Sequence, residues 1–331
     1  MAILQKKINS FYFNTQDMRF EVCILGSNAA TFAFGRHVTS QVLNIREHLF
    51  MIDCGEGTQI RLQEERIKAA RIQQIFISHM HGDHIYGLIG LINSFSLMGR
   101  QAPLCIYGPK DLEEFINIQL RLTESYLTYK LSFFSTQTEN TELIFENNVL
   151  TVHSFPLKHK IPTTGFIFKE KEGLRRLISK QLVHYNIPKE YFNILKTGVD
   201  YIIPETGEII KNEALTLAPA TPRAYAFCSD TAYDPSIVNY IQNVDLLYHE
   251  ATFMADQAEK AAINFHSTSI DAANIALAAK AKSLLIGHFS SRYEDLAPLL
   301  AEAQKIFPNT ALALEGRFFS IPFDAVKEEQ V

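Results

Sequence analysis

Residues 78–87 read SHMHGDHIYG, with three histidines and an aspartate inside positions 79–84 and the apolar run QQIFIS directly before them. One such histidine is commonly a satisfied polar residue. Several lone-pair donors confined to one strand end need a shared cation to hold them together. The pattern His-x-His-x-Asp-His therefore reads as half of a metal site, and the other half has to come from elsewhere in the chain. Short apolar runs that end in an ionisable group supply it: Asp230 follows AYAFCS, Glu250 closes DLLYHE and His288 follows SLLIG, with His159 in PLKHKIP and His266 in NFHST. Strand ends are where an α/β fold collects its functional side chains. Any one of these residues alone reads as a capping or hydrogen-bonded polar group. Their repetition beside the histidine motif points to one shared centre.

The chain has 331 residues, 47% of them hydrophobic and 20% charged, a composition that supports a sizeable core and excludes a disordered protein. Cys23, Cys54, Cys105 and Cys228 form no C-x-x-C pair, so neither a thiolate zinc site nor a disulfide framework is expected, and the thiols fit a reducing cytoplasm. The start MAILQKKINSFYFNTQDMRF has no apolar leader segment and no later run reaches a membrane span, so neither secretion nor membrane insertion is expected. A net charge of −5 argues against indiscriminate nucleic-acid binding.

Apolar periodicity predicts strands at FEVCILG, VLNIR, LFMID, QQIFIS, LCIY, ELIFE, LTVHSF, GFIF, AYAFCS, DLLYHE, SLLIGHF and ALALEG, and helices at 58–68, 84–98, 110–122, 269–281 and 294–306. Strands from both halves with helices between them predict two mixed sheets packed together with helices outside, a layered α/β arrangement. Residues 169–215 break this rhythm, being polar and marked by the turn signals IPKE, KTG and PETGE, and predict an excursion from the main body.

The motifs DCGEGTQ (53–59), HGDHIYGLIGL (81–91), IYGPK (106–110), HEATF (249–253), HST (266–268) and GHFSSRY (287–293), with SHMHGDH itself, resemble the metallo-β-lactamase superfamily and its tRNA 3′-processing branch, ribonuclease Z, from about Phe20 to the end. The resemblance implies a single domain over 1–331, a four-layer αβ/βα sandwich with an inserted flexible arm at 169–215. It also implies a cytoplasmic zinc-dependent endoribonuclease that removes the 3′ trailer from precursor tRNA and leaves a 3′-hydroxyl and a 5′-phosphate. Two Zn2+ per subunit would be held by His79, His81 and His159 on one side and Asp83, His84 and His288 on the other, with Asp230 between them. Such ions accept imidazole and carboxylate ligands, activate water and neutralise charge on a phosphoryl group. Asp83 would orient the attacking water, while His266, oriented by Glu250, would protonate the departing oxygen. Asp53 would brace the histidine loop, and His37, His48, His153, His184 and His249 are left as surface or core polar residues.

Residues 169–196 carry an excess of four positive charges, which leaves about −9 on the rest of the chain and suits a phosphate-gripping arm on an acidic body. Arg175, Arg176, Lys180, Lys189 and Lys196 are the expected tRNA contacts there, and Arg292, just past His288, is expected to meet a phosphate. The resemblance also implies a homodimer. Two departures stand out: Lys189 and Glu190 occupy the place of a Gly-Pro in the arm, and His37 stands where asparagine is frequent. Another hydrolase of this superfamily, acting on small phosphodiesters or (thio)esters, is the alternative. A di-iron oxidoreductase of this fold would carry His-x-Glu-x-Asp, and a non-catalytic relative would have lost ligands.

Overall fold

The computed structural model describes residues 19–323; the N-terminal stretch read above for a leader segment, apart from Arg19 and Phe20, lies outside them. The first sheet begins with β1 (Phe20–Gly26), β2 (Ser40–Ile45), β3 (His48–Cys54), β4 (Ile72–Phe76), β5 (Leu104–Gly108) and β6 (Leu131–Ser135). The second begins with β7 (Glu142–Glu146), β8 (Leu150–Leu157) and β9 (Thr163–Glu170). Four two-residue strands follow, β10 (Arg176–Leu177), β11 (Tyr201–Ile202), β12 (Ile209–Ile210) and β13 (Thr216–Leu217). Then come β14 (Ala224–Cys228), β15 (Leu246–Glu250), β16 (Ser283–Gly287), β17 (Thr310–Leu312) and β18 (Phe318–Ser320). The two seven-stranded sheets run β18-β1-β2-β3-β4-β5-β6 and β17-β16-β15-β14-β9-β8-β7.

Alternation within single strands explains how the sheets stack. In β3, Phe50 and Ile52 point to one core with Val22, Leu43, Phe166, Phe168 and Tyr225, which come from both sheets. The intervening Leu49 and Met51 point the other way, to a core shared with helix residues such as Leu62, Leu91 and Ile116. On the far side, the second sheet packs Ala226, Leu247 and Ile286 against Ala272, Ala276 and Leu299 of its own helices. The order is helix, sheet, sheet, helix, as the alternation of apolar runs predicts. Each fully buried Phe in the middle layer contributes about 1.5–3 kcal/mol.

Two strands of the seven-stranded sheets have no counterpart among the predicted ones, and both are edges of the first sheet. LSFFS (β6) is half-buried to exposed and FFS (β18) mostly exposed, so neither shows an apolar alternation. The helix Ala258–Asn264 escapes prediction for the same reason, since Ala261 is its one buried residue.

The described residues divide into two compact units, the larger comprising 19–169 and 224–322, the smaller Glu170–Arg223 with Phe323. The smaller unit extends past the expected boundary at 215 and is less polar than its composition suggests. Leu182, Ile187, Leu195, Tyr201, Ile210 and Leu215 form a core of its own, flanked by the ladders β10–β13 and β11–β12. Asn212 is buried inside it and donates its amide to the carbonyls of Leu195 and Val199, both at 2.8 Å. Glu170 and Arg223 close its ends through a buried two-pronged ion pair, with both Nε and Nη2 at 2.8 Å from the carboxylate. No helix among the described residues is long and apolar enough to cross a membrane.

Candidate metal centre

The ends of β3, β4, β14, β15 and β16 and the turn after β8 deliver the polar groups of the larger unit to one place. Three of the delivering residues have left-handed backbones although none is glycine: Asp53 (φ 54°), Asp230 (φ 56°) and His288 (φ 57°). Each costs on the order of 1 kcal/mol, a strain that persists where a strand behind and side-chain bonds ahead over-determine the residue. Phe265 (φ 58°) does the same for its neighbour His266 and aims its carbonyl at His159.

His79, His81, His159 and Asp230 each offer a ligand atom to one group, and Asp83, His84 and His288 to another. In the first, His81 Nδ1 lies 2.9 Å from His79 Nε2 and 3.2 Å from His159 Nε2. Nitrogens bound tetrahedrally at zinc–nitrogen lengths stand roughly 3.3 Å apart, so the three rings already stand at about that spacing. Asp230 divides its oxygens between the groups. Its Oδ2 is 3.6 Å from both His79 and His159 Nε2, while Oδ1 is 3.3 Å from His84 Nε2 and 3.1 Å from His288 Nε2.

The surroundings fix which nitrogen faces inward. His84 Nδ1 donates to Asp53 Oδ2 at 2.7 Å, His159 Nδ1 to the Phe265 carbonyl at 2.9 Å and His288 Nδ1 to Thr252 Oγ1 at 3.0 Å. His79 Nδ1 donates to Ser78 Oγ at 3.0 Å, which passes its own proton to Asp53 at 2.9 Å. With these outer nitrogens engaged, each Nε2 presents a lone pair to the centre. Among the described residues His84 Nε2 and His288 Nε2 have no hydrogen-bond partner, although both rings are buried. Buried nitrogens without partners are costly, and a cation between them removes that cost. The donor set therefore fits a divalent metal.

The charges fit as well. Burial, with the facing His84, holds His79 well below the ordinary imidazole range. Burial opposes a charge on His84 too, but Asp230, Asp83 and Asp53 override it and hold that ring well above the range. The three carboxylates around His84 thus favour positive charge at this spot, which a cation would supply. Asp83 is held far below the usual carboxylate range by His84 and His288 against its burial, and its Oδ2 accepts from Ala30 N at 2.8 Å.

Beside the two groups, His266 Nδ1 donates to Glu250 Oε1 at 2.8 Å. Burial opposes a charge on His266, but the fully buried Glu250 carboxylate overrides it and raises the ring to about 9. Glu250 also accepts from Thr231 N at 2.8 Å and from Thr252 Oγ1 at 2.6 Å. A protonated imidazole held this way, next to Asp230 and His288, can give up a proton.

All nine residues read as metal ligands or acid–base groups meet here. Arg292 is exposed, bonded to Ser290 Oγ and Gln257 and lying over the Phe253 ring at 5.4 Å. The five basic arm residues belong to the smaller unit, where Lys180 and Lys189 are exposed and Arg175 is committed internally to Thr216 Oγ1 at 2.7 Å. Two groups escaped the sequence reading. Thr252 links Glu250 to His288, and its position two residues past Glu250 in HEATF was the available signal. His37 is no stray polar residue: it lines the same cavity, 3.0 Å from Glu315, a partner too distant in sequence to pair by motif.

Known proteins give the arrangement a lineage. The family profile for the Anti-Pycsar protein Apyc1 matches residues 20–174. Ribonuclease Z of Bacteroides fragilis is 46% identical over 303 residues, 92% of this chain and 99% of that one. Ribonuclease Z of Cytophaga hutchinsonii is 41% identical over 92% of this chain and 97% of its own. Among solved structures, human tRNase Z, short form, superposes with a TM-score of 0.66 at 27% identity, covering 91% of this chain and 99% of its own. The metallo-β-lactamase fold protein YhfI from Bacillus subtilis shares the fold at a TM-score of 0.65 and 18% identity, over 91% of this chain and 98% of its own.

Proposed function

We infer the reaction from one premise: the chain belongs to the ribonuclease Z family. It is an endoribonuclease that removes the 3′ trailer from precursor tRNA, leaving a 3′-hydroxyl on the tRNA and a 5′-phosphate on the trailer. The observation that carries this reading is the Asp230 carboxylate shared between two nitrogen-rich groups, with the His266–Glu250 pair alongside. His79, His81, His159 and Asp230 would hold one zinc ion and Asp83, His84, His288 and Asp230 the other. Bound there, the metals supply Lewis acidity and a charge to neutralise the phosphoryl oxygens.

The chain's own residues do the rest. Asp83, with Ala30 N and the two imidazoles fixing its carboxylate, orients the attacking water and accepts its proton. Glu250 keeps His266 protonated and aims its Nε2, so that the ring gives a proton to the 3′ oxygen as the phosphodiester breaks. The unit Glu170–Arg223 grips the tRNA through Lys180, Lys189, Lys196, Arg175 and Arg176, with Arg292 of the larger unit serving a phosphate. The exposure of Lys180 and Lys189 supports that assignment most directly, the internal bond of Arg175 least.

The proposal includes a cytoplasmic homodimer. Unpaired cysteines and the exposed side chains Leu97, Met98, Leu122 and Tyr126, near one another on the larger unit, support it. The test of the whole reading is incubation of zinc-loaded protein with a precursor tRNA, followed by mapping of the cut and its end groups. A single cut near the tRNA 3′ end with the expected termini supports it. Hydrolysis of small phosphodiesters with the precursor left intact would assign the centre to the alternative reaction.

A further inference from the structure

The motifs DCGEGTQ and HGDHIYG do more than face a metal. Beyond His81, Asp83, Asp230, His266 and His288, the cavity of about 700 Å³ at the centre is walled by Phe32, His37, Gly57, Gly82 and Tyr86. Phe32 is 62% exposed and Tyr86 63%. A single exposed aromatic is ordinary on a protein surface. Two held in place on the cavity that contains the reactive groups ask for a ligand.

Both rings are fixed by the site itself. Tyr86 lies over Gly82, where a β-carbon would stand 2.1 Å from the ring, so the glycine of the metal-facing turn is what admits it. Phe32 meets the His37 ring edge-on at 5.1 Å. His37 in turn lies over Gly57, where a β-carbon would stand 2.8 Å away, and its Nδ1 is 3.0 Å from Glu315 Oε2. The loop carrying Phe32 is tied down on either side of it. Ala30 N donates to Asp83, Asn28 Nδ2 donates to the Thr31 carbonyl at 2.8 Å, and Arg36 Nε donates to Asn28 Oδ1 at 3.0 Å. The same aspartate oxygen that faces His84 and His288 thus holds the wall bearing Phe32. A pre-ordered aromatic surface loses little entropy when a flat ligand stacks on it.

We propose that Phe32 and Tyr86 form the stacking site for a nucleobase flanking the phosphodiester that is cut. This rests on the reading of the centre as one that cleaves precursor tRNA. Stacking tolerates every base, because each has a π-face, and so suits a strand whose trailer sequence varies among substrates. The base beside the scissile phosphate is held at a fixed distance from the metal-facing groups, while contacts farther away choose the molecule. His37 and Glu315 act here as positioning residues for Phe32.

The experiment uses the metal-loaded full chain and three precursors: one unmodified, one abasic at the last tRNA nucleotide and one abasic at the first trailer nucleotide. Phe32→Ala and Tyr86→Ala should lower kcat/KM on the unmodified precursor by roughly 10- to 100-fold. The loss should vanish on whichever abasic precursor lacks the stacked base and persist on the other, which assigns the base to the tRNA or the trailer side. Phe32→Tyr should restore most of the rate. Because the chain has no tryptophan, Phe32→Trp also provides a single tryptophan, excited selectively over the tyrosines, whose emission should be quenched by the unmodified precursor and not by the matching abasic one. Equal losses on all three precursors, or none on any, would overturn the stacking site. Failure of the unsubstituted protein to cut any precursor would instead remove the underlying reaction, a different result.

Discussion

The metal-facing end of the larger unit and the smaller unit Glu170–Arg223 are both rich in charge, yet they are ordered in opposite ways. At the centre, His79, His84, Asp230, Glu250 and His288 are buried, and nearly every outer nitrogen and oxygen is bonded to a neighbour. The inward nitrogens that remain define the ligand. In the smaller unit the lysines at 180 and 189 face solvent, and order comes from six apolar side chains and the buried amide of Asn212. Buried charge demands a partner and so specifies chemistry; exposed charge demands nothing and specifies at most an attraction. The first region should therefore govern whether a phosphodiester is cut, and the second which molecule is held.

Four experiments can break or sharpen that contrast, from the largest expected effect downward. Asp230→Ala removes the carboxylate common to both groups and should abolish cleavage of precursor tRNA and of bis(p-nitrophenyl) phosphate alike. Metal analysis should show less bound zinc than the two per chain proposed, with the circular dichroism spectrum of the fold retained. Two tightly bound zinc ions in that variant would sink the assignment of Asp230 as a bridge.

His266→Ala should leave both metals in place and slow cleavage of precursor tRNA by roughly two to four orders of magnitude, the range of a general acid. Single-turnover rates, paired with zinc content, check this. A wild-type rate would leave the His266–Glu250 pair a structural role only.

Deleting 170–223 should separate the two regions. Lys169 and Ala224 face each other across antiparallel β9 and β14, so a short turn can join them. Precursor tRNA cleavage should then fall at least tenfold, by roughly the affinity carried by several phosphate contacts, with bis(p-nitrophenyl) phosphate hydrolysis nearly unchanged. The salt dependence of tRNA binding should also become shallower, by a log–log slope of about two to three if three basic residues each neutralise a phosphate. Equal losses on both substrates would make the smaller unit a part of the catalytic fold instead of a clamp.

The smallest effect concerns the stability of that unit alone. Asp200 bonds to Lys211 Nζ at 2.9 Å and to Asn212 N at 2.8 Å, which lowers its carboxyl below 3.8. A depressed folded-state value means the contribution is present above the unfolded value and is lost as pH falls through the folded one. Asp200→Asn should therefore reduce protection of the unit's amides from hydrogen exchange slightly near neutrality, and the difference should close in acid below 3.8. A difference that held constant down the acid limb would point to packing instead of charge.

What the sequence by itself determined is the alternating layers and the inventory of the centre. A strand buried on both faces has to be apolar along its length, so the run FEVCILG coincides with β1 to the residue. Ionisable side chains at the ends of such runs are expensive enough to be conspicuous, which is why His79, Asp230, Glu250 and His288 could be named before any coordinates. Edge strands β6 and β18 were illegible because half-exposed chain carries no period. The core of the smaller unit was hidden for a related reason, its six apolar residues being spread over 182–215 among polar ones. Only the tertiary structure decided how Asp230 divides its oxygens, that Thr252 joins Glu250 to His288, and that His37 meets Glu315 and steadies Phe32 on the cavity wall. These are relations between side chains up to 278 positions apart, set by how strands pair and sheets stack, and no local period or spacing encodes them.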